Sequence, residues 1–547
     1  MATALKTYTG SQKTLRTETP QTVRTPGRTD EVQNNAGGFV FKVSDQSRLE
    51  RFLILGTDGG TYYVGQQKLT EQNTEFLRKM IRENEPLVLD TIVSVSDEGR
   101  AYRNSPALFA LALVMTEGTN KARARAAVEK VARTSTHLFE FAQYIDDLGG
   151  WGRAKRKAVA NWYEGKDAGS LAYQAVKYRQ RDGWTHRDLM RLSHPEGVDR
   201  NVGNFILGRE VEVGTVDILD GFRAMQSAGS VKEVLAILGK HKNLPWETIP
   251  TQFLKESDVW KAIFRNGQLN GQALVRNITR LARIGAFKDM AFAAEYAAKL
   301  TDVEMIRKSR LHPINFLNAA VVYADGQVQR GGSMYSYGRT KDWTSESVIT
   351  DAINDGFHAA FKAIEPAGKR TMLAVDVSGS MTSQALGLDL SCAQISGALA
   401  MTIARTEPAH IIRGFTSEGR GWGGATSLSD LGISAKTPLA TAMRAVQKSN
   451  FGGTDASLPM KWALENKVEV DTFVVITDNE TYGGSSKPTQ ALKKYRDKTG
   501  IDARLAVLGV ASTEFTIADP TDRGQMDFVG FDSAAPRVLA DFSAGRL

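Results

Sequence analysis

From Thr371 onward the apolar residues come in short unbroken runs: Thr371–Val377, His410–Phe415, Thr472–Thr477 and Leu505–Val510. Helix-length segments separate them at about Leu386–Thr406, Leu439–Lys448, Ser457–Glu465 and Pro488–Asp497. Runs that are apolar throughout belong to strands buried on both faces, and their alternation with helices predicts a doubly wound, Rossmann-like α/β domain with a mainly parallel sheet. Such a sheet binds ligands in the crevice beyond the carboxyl ends of its strands. The first run passes straight into Asp376-Val377-Ser378-Gly379-Ser380. Alternate residues of that loop can aim one carboxylate and two hydroxyls at a common point, with Gly379 permitting the tight turn. Gly452-Gly453-Thr454-Asp455 adds a hydroxyl from a flexible loop, and Asp478 ends a third run. Taken singly, an Asp or Ser after a strand is more often a helix N-cap than a ligand. In this order, Asp376, Ser378, Ser380, Thr454 and Asp478 compose a divalent-metal site. Oxygen-only donors suit Mg²⁺ or another hard divalent cation, and neutral hydroxyls leave charge for an outside carboxylate or phosphate to complete the shell.

The chain of 547 residues is too long for one core. Upstream, from about Ala36 to Lys362, the pattern is helical. In 151–162, Trp151, Ala154, Ala158 and Trp162 form one stripe while Arg153, Lys155, Arg156 and Lys157 face elsewhere, an amphipathic helix with a basic outer side. Similar segments recur at Pro106–Thr116, Arg123–Arg133, Leu138–Leu148, Ser170–Arg181 and Thr185–Ser193, and Thr185 with Asp188 resembles a capping box. Successive helices without strands predict an α-solenoid of degenerate repeats. The Gly-rich stretch 326–343 reads as a loop or linker before one more helix at about Ser345–Ile364. The division is therefore a mobile basic tail (1–33), a helical module (34–362) and an α/β domain (363–547).

Charge separates the two large parts. Phe361 to Leu547 holds 20 Lys+Arg and 20 Asp+Glu, so the first 360 residues carry the whole net +8. Lys121 to Arg191 alone has 15 basic and 8 acidic residues. A basic helical part beside a neutral α/β part points to a polyanionic partner for the former. No run of eighteen apolar residues predicts a membrane span. The N-terminus lacks the apolar core of a secretory signal, and a single cysteine, Cys392, favours a reducing, cytoplasmic setting.

The five metal positions resemble the metal-ion-dependent adhesion site of von Willebrand A domains. The surrounding stretches are more specific: NNAGGFVFKV (34–43), LGTDGGTYYVGQQKL (55–69), WGRAKRKAVANWY (151–163), VKYRQRDGWTHRDLMRLSH (176–194), EPAGKRTMLAVDVSGSM (365–381), GGTDASLPM (452–460), ITDNET (476–481) and FTIADPTDRGQMDFVGFD (515–532). In number and order they resemble the Ro autoantigen family, a TROVE module followed by a von Willebrand A domain, of bacterial or phage type. The resemblance implies a closed ring of HEAT-like helical repeats. It also implies an RNA-binding protein rather than an enzyme, a monomer apart from RNA-mediated assembly. Small noncoding Y-like RNAs would bind the basic outer surface and single-stranded 3′ ends of misfolded RNA the ring hole, in concert with a 3′-to-5′ exoribonuclease.

Carried over by motif, the RNA contacts fall on Lys177–His194. Lys177 and Arg181, four apart on one helical face, would span adjacent phosphates. His186 would lie at a helix start that favours a phosphate, although capping or packing beside Trp184 is an equal reading of that residue. Arg187 and Arg191 extend the stripe, with Arg153 and Arg156 as further contacts. His137, in an apolar stretch, and the Tyr62-Tyr63 pair read as packed residues. Arg330-Gly331-Gly332 is a single RGG, weak as an RNA-binding signal. The rival reading is a metal-dependent scaffold whose α/β domain binds an acidic protein partner. A nuclease is disfavoured because no second carboxylate cluster is spaced for two-metal chemistry, and no Walker A sequence is present.

Overall fold

A computed structural model describes residues 18–547 except 59, 327–341, 362–363, 387, 389, 417–427 and 448–452. The chain forms two compact units, one of residues 77–99 and 103–360, the other of residues up to 76, 100–102 and 361–547.

The second of these is built on a six-stranded sheet from residues 371–529, beside a three-stranded sheet that joins the N-terminal strands to a C-terminal one. The first strands met are β1 (Glu31–Gln33) and β2 (Phe39–Lys42), which pair antiparallel. A two-residue hairpin of the helical unit supplies β3 (Gln180–Arg181) and β4 (Trp184–Thr185). The remaining strands are β5 (Thr371–Asp376), β6 (His410–Phe415), β7 (Leu428–Ser429), β8 (Thr472–Thr477), β9 (Arg504–Gly509), β10 (Phe515–Thr516) and β11 (Gln525–Val529). The main sheet has the order β11-β9-β8-β5-β6-β7, parallel except for the short edge strand β7. Every residue of β5 and β8 is buried, as expected of central strands with helices on both faces. Helices Cys392–Thr406, Leu439–Gln447, Leu458–Glu465 and Pro488–Thr499 fill the crossovers. The predicted α/β domain is thus present, its four predicted strands in place to within a residue.

Residues 18–33 differ from the expected mobile tail; those before 18 lie outside the described residues. Gln21 is buried, its Nε2 donating to Asp455 Oδ1 at 2.6 Å. Arg28 forks onto Asp519 at 2.6 and 2.9 Å. Lys487, itself buried, donates to the Phe39 carbonyl at 2.9 Å and lies 3.5 Å from the Glu31 carboxylate. β2 pairs with β10, and the fully buried Arg51 guanidinium binds the carbonyls of Thr513 and Phe515 at 3.1 and 2.9 Å. The expected boundary at 33/34 therefore does not describe the packing. Residues 18–76 fold with the C-terminal domain because their polar groups find partners there.

The other unit is helical, the β3–β4 hairpin apart. Ser105–Glu117 packs on Lys121–Val131 and on Ser135–Asp147, and Lys121–Val131 on Arg153–Glu164. Helices two apart along the chain thus pack on each other, the layered packing of an α-solenoid. Thr185 and Asp188 form the predicted capping box at the start of His186–Ser193. The helix Gln66–Asp97 bends at Asn84 (φ −152°, ψ 63°), where the ring of Pro86 disrupts the helical ladder. No helix among the described residues is long and apolar enough to cross a membrane.

Candidate functional site

Beyond the carboxyl ends of β5 and β8 lie five residues that are all buried: Asp376, Ser378, Ser380, Thr454 and Asp478. Asp376 Oδ1 accepts the Ser378 N–H at 2.9 Å, and its Oδ2 accepts the Thr477 hydroxyl at 2.6 Å. The Ser378 and Ser380 hydroxyl oxygens are 3.1 Å apart. Ser380 hydrogen-bonds Asp478, whose Oδ1 also takes the Glu480 N–H at 3.0 Å. Thr454 reaches the group through its backbone: its carbonyl accepts the N–H groups of Tyr482 and Gly483 at 3.1 and 2.7 Å. Four of the five residues are thus linked by hydrogen bonds, and the fifth is held by the loop that follows Asp478.

Burial and the neighbouring Asp478 charge push the Asp376 carboxyl up to about 7, and burial raises Asp478 too. Among the described residues, no basic side chain offsets this. Two desolvated carboxylates with hydroxyls between them and no counter-charge are a donor set that fits a hard divalent cation. The described residues contain no cluster of three or more His, Cys, Asp or Glu placed for a metal, so hydroxyls would have to supply the remaining ligands.

The outer wall of this site comes from the N-terminal residues. Ser380 and Asp478 line a small cleft together with Asp58, Gly60, Thr61 and Tyr62. Tyr62 is 61% exposed rather than a core anchor, its ring edge-on to Tyr63. Behind Asp478, Glu480 accepts from Asn35 Nδ2 at 2.7 Å and the Ala36 N–H at 2.9 Å. Burial and the Asp478 charge push Glu480 up to about 8. These outer residues escaped the sequence reading because nothing in NNAGG or DGGTYY states which distant loop they cover.

The basic residues divide sharply. Arg153, Arg156 and Arg191 are exposed and make no ion pair among the described residues. Arg187 is exposed, but one guanidinium nitrogen caps the Leu207 carbonyl at 2.8 Å. Lys177 and Arg181 do not share a helical face: the helix stops at Lys177, and Arg181 sits in β3, 3.3 Å from Asp182. The turn Asp182-Gly183, both at positive φ, reverses the chain there. Lys177 is committed to the Tyr173 hydroxyl at 3.1 Å and to Glu247 at 3.5 Å. His186 is buried, its Nδ1 2.9 Å from the Tyr163 hydroxyl and its ring edge-on to Phe139. The ring packs among Phe139, Trp162 and Tyr163, a burial that argues against a phosphate contact at this residue. Arg330-Gly331-Gly332 lies outside the described residues.

These features define a class: a basic helical module joined to a von Willebrand A-type domain with an oxygen-lined cleft beyond its sheet. The family model of the TROVE domain matches residues 32–233 and 236–335, and that of the Ro60 vWA domain matches 370–543. The RNA-binding protein RO60 of Deinococcus radiodurans is 39% identical over 541 residues, covering 96% of this chain and 98% of that one. The RNA-binding protein RO60 of Caenorhabditis elegans is 31% identical over 602 residues, covering 94% and 90%. The crystal structure of Deinococcus radiodurans RO (RSR) protein aligns with a TM-score of 0.65 at 37% identity, covering 92% of this chain and all of that one. The chain belongs to the Ro60 family of RNA-binding proteins.

Proposed function

We propose that this chain binds small, structured, Y-like noncoding RNA on the exposed basic face of its helical module and takes single-stranded 3′ ends of misfolded RNA at a separate surface. It would act in the cytoplasm as a binding protein rather than an enzyme, presenting RNA to a 3′-to-5′ exoribonuclease in quality control or maturation. The observation that carries this reading is the set Arg153, Arg156 and Arg191, exposed and unpaired in the most basic stretch of the chain. Replacing all three with Ala should weaken a structured RNA at least tenfold in filter binding at low salt and reduce the salt slope by about 0.7–0.9 per lost phosphate contact. An unchanged slope would refute the assignment. Wild-type protein should also prefer an RNA with a single-stranded 3′ tail over its blunt form; equal binding of the two would sink the separate 3′-end surface.

A second reading concerns the α/β domain. Asp376, Ser378, Ser380, Thr454 and Asp478 would hold Mg²⁺ or a similar cation, whose open position takes an acidic residue of a protein partner. The two buried carboxylates, of which Asp478 lines the cleft, support it.

A further inference from the structure

The helical unit contains a cavity of about 510 Å³, a size typical of small-molecule sites. It lies beside the helix Ala168–Lys177, and its wall is completed by the residues 242–245 and 266–270. Six lining residues carry its chemistry: Tyr173, Lys177, Lys242, Asn266, Gln268 and Asn270.

Their spare valences are of one kind. The Gln268 amide nitrogen is spent on the carbonyls of Lys242 and Leu244, at 3.1 and 2.7 Å. Its Oε1 is buried with no hydrogen-bond partner, an unfavourable state for an acceptor unless something brings it a donor. Asn266 Nδ2 donates to the Leu238 carbonyl at 2.9 Å, and Asn270 Nδ2 to the Gly267 carbonyl, so both amides keep their oxygens as acceptors. Tyr173 adds an aromatic ring, with the Lys177 ammonium 5.2 Å from its centroid. Glu247 partly neutralises Lys177, whereas Lys242 is exposed and makes no ion pair among the described residues. A π face, three amide acceptors and one unpaired cation suit a flat ring bearing N–H donors and an attached anion.

We propose that this cavity receives one unpaired nucleotide of a bound RNA. The base lies against Tyr173 and donates the two N–H groups of its exocyclic amine to amide oxygens among those of Gln268, Asn266 and Asn270; its phosphate meets Lys242. The inference rests on the RNA-binding reading and refines it, because it makes an extruded base, and not only backbone charge, a determinant of recognition.

The test uses the full chain and two hairpin RNAs, one perfectly paired with blunt ends, the other identical but for a single-adenosine bulge. Wild-type protein should bind the bulged RNA about tenfold more tightly, the scale of one base stacked on an aromatic side chain. Ala273→Phe, which fills the cavity, should abolish most of that preference while binding the paired hairpin within about twofold, and Lys242→Ala, which removes the lining cation, should also abolish most of it. A 2-aminopurine at the bulge should change fluorescence on binding wild type but not Ala273→Phe. Preference retained in both variants, or an equal loss on both RNAs, overturns the cavity assignment. Adenosine monophosphate displacing the bulge signal at micromolar concentration would assign the cavity to a free nucleotide instead. Failure of wild type to bind either RNA would refute the proposed function itself, whereas binding both without discrimination refutes only the cavity.

Discussion

His186 starts a helix, yet its imidazole is 4% exposed and faces Tyr163, Phe139 and Trp162. Burial pushes it down to about 4, against the Gln174 and Tyr178 carbonyls that favour its charged form. A depressed histidine is neutral when folded but binds a proton when unfolded below pH 6.5, so stability falls as the pH drops from about 6.5 toward 4. Over that window the loss is of order 3 kcal/mol. Urea unfolding at pH 7 and 4.5 should show it, and His186→Gln should flatten this part of the pH dependence; an unaltered slope would remove His186 as the cause. Asp376 makes the opposite kind of contribution, since burial beside Asp478 disfavours its ionised form, a cost the proposed cation would offset. Asp376→Ala should abolish Mg²⁺ binding by calorimetry while leaving RNA binding within twofold of wild type. An RNA defect in the folded variant would contradict that separation.

Among the elements, the N-terminal strands depend on the C-terminal domain and the domain on them. Lys487 is buried with Glu31 as its carboxylate partner, and Glu31 also accepts the Thr25 N–H and hydroxyl at 2.9 and 2.6 Å. Removing one member of a buried ion pair strands the other charge, so Glu31→Ala should destabilise this unit by about 3 kcal/mol, read by thermal or urea unfolding. A loss below about 0.5 kcal/mol would mean that solvent reaches Lys487. The fragment 361–547 expressed without residues 18–76 should aggregate or unfold, because it lacks β2, the partner of β10, and the Arg51 side chain that caps the Thr513 and Phe515 carbonyls. The helix at Thr185 was legible from local chemistry: Ser/Thr with an acidic residue three positions on closes its own N-terminus. The hairpin at Gln180–Thr185 was not, since helical spacing continues through Arg181 and only the reversal at Asp182-Gly183 breaks it.

For the molecule as a whole, charge and chemistry stay separated: the basic helical sequence carries the surplus that a polyanion needs, and the neutral α/β sequence carries the buried carboxylates. EDTA should therefore leave the affinity for RNA unchanged while lowering the melting temperature of the α/β unit, a split that differential scanning fluorimetry and filter binding resolve. Joint loss of both would show that the two are coupled. Fold class, strand positions and the Asp376–Asp478 donor set could be read from the sequence because each depends on local periodicity and on which residues end a strand. Side-chain fate could not. Whether Lys177 meets a phosphate or Glu247, whether His186 faces solvent or Tyr163, and whether residues 18–33 hang free or bind Asp455 and Asp519 depend on groups far away in the chain. A sequence specifies the donors and acceptors it contains; only the folded packing decides which of them pair with each other and which remain for a ligand.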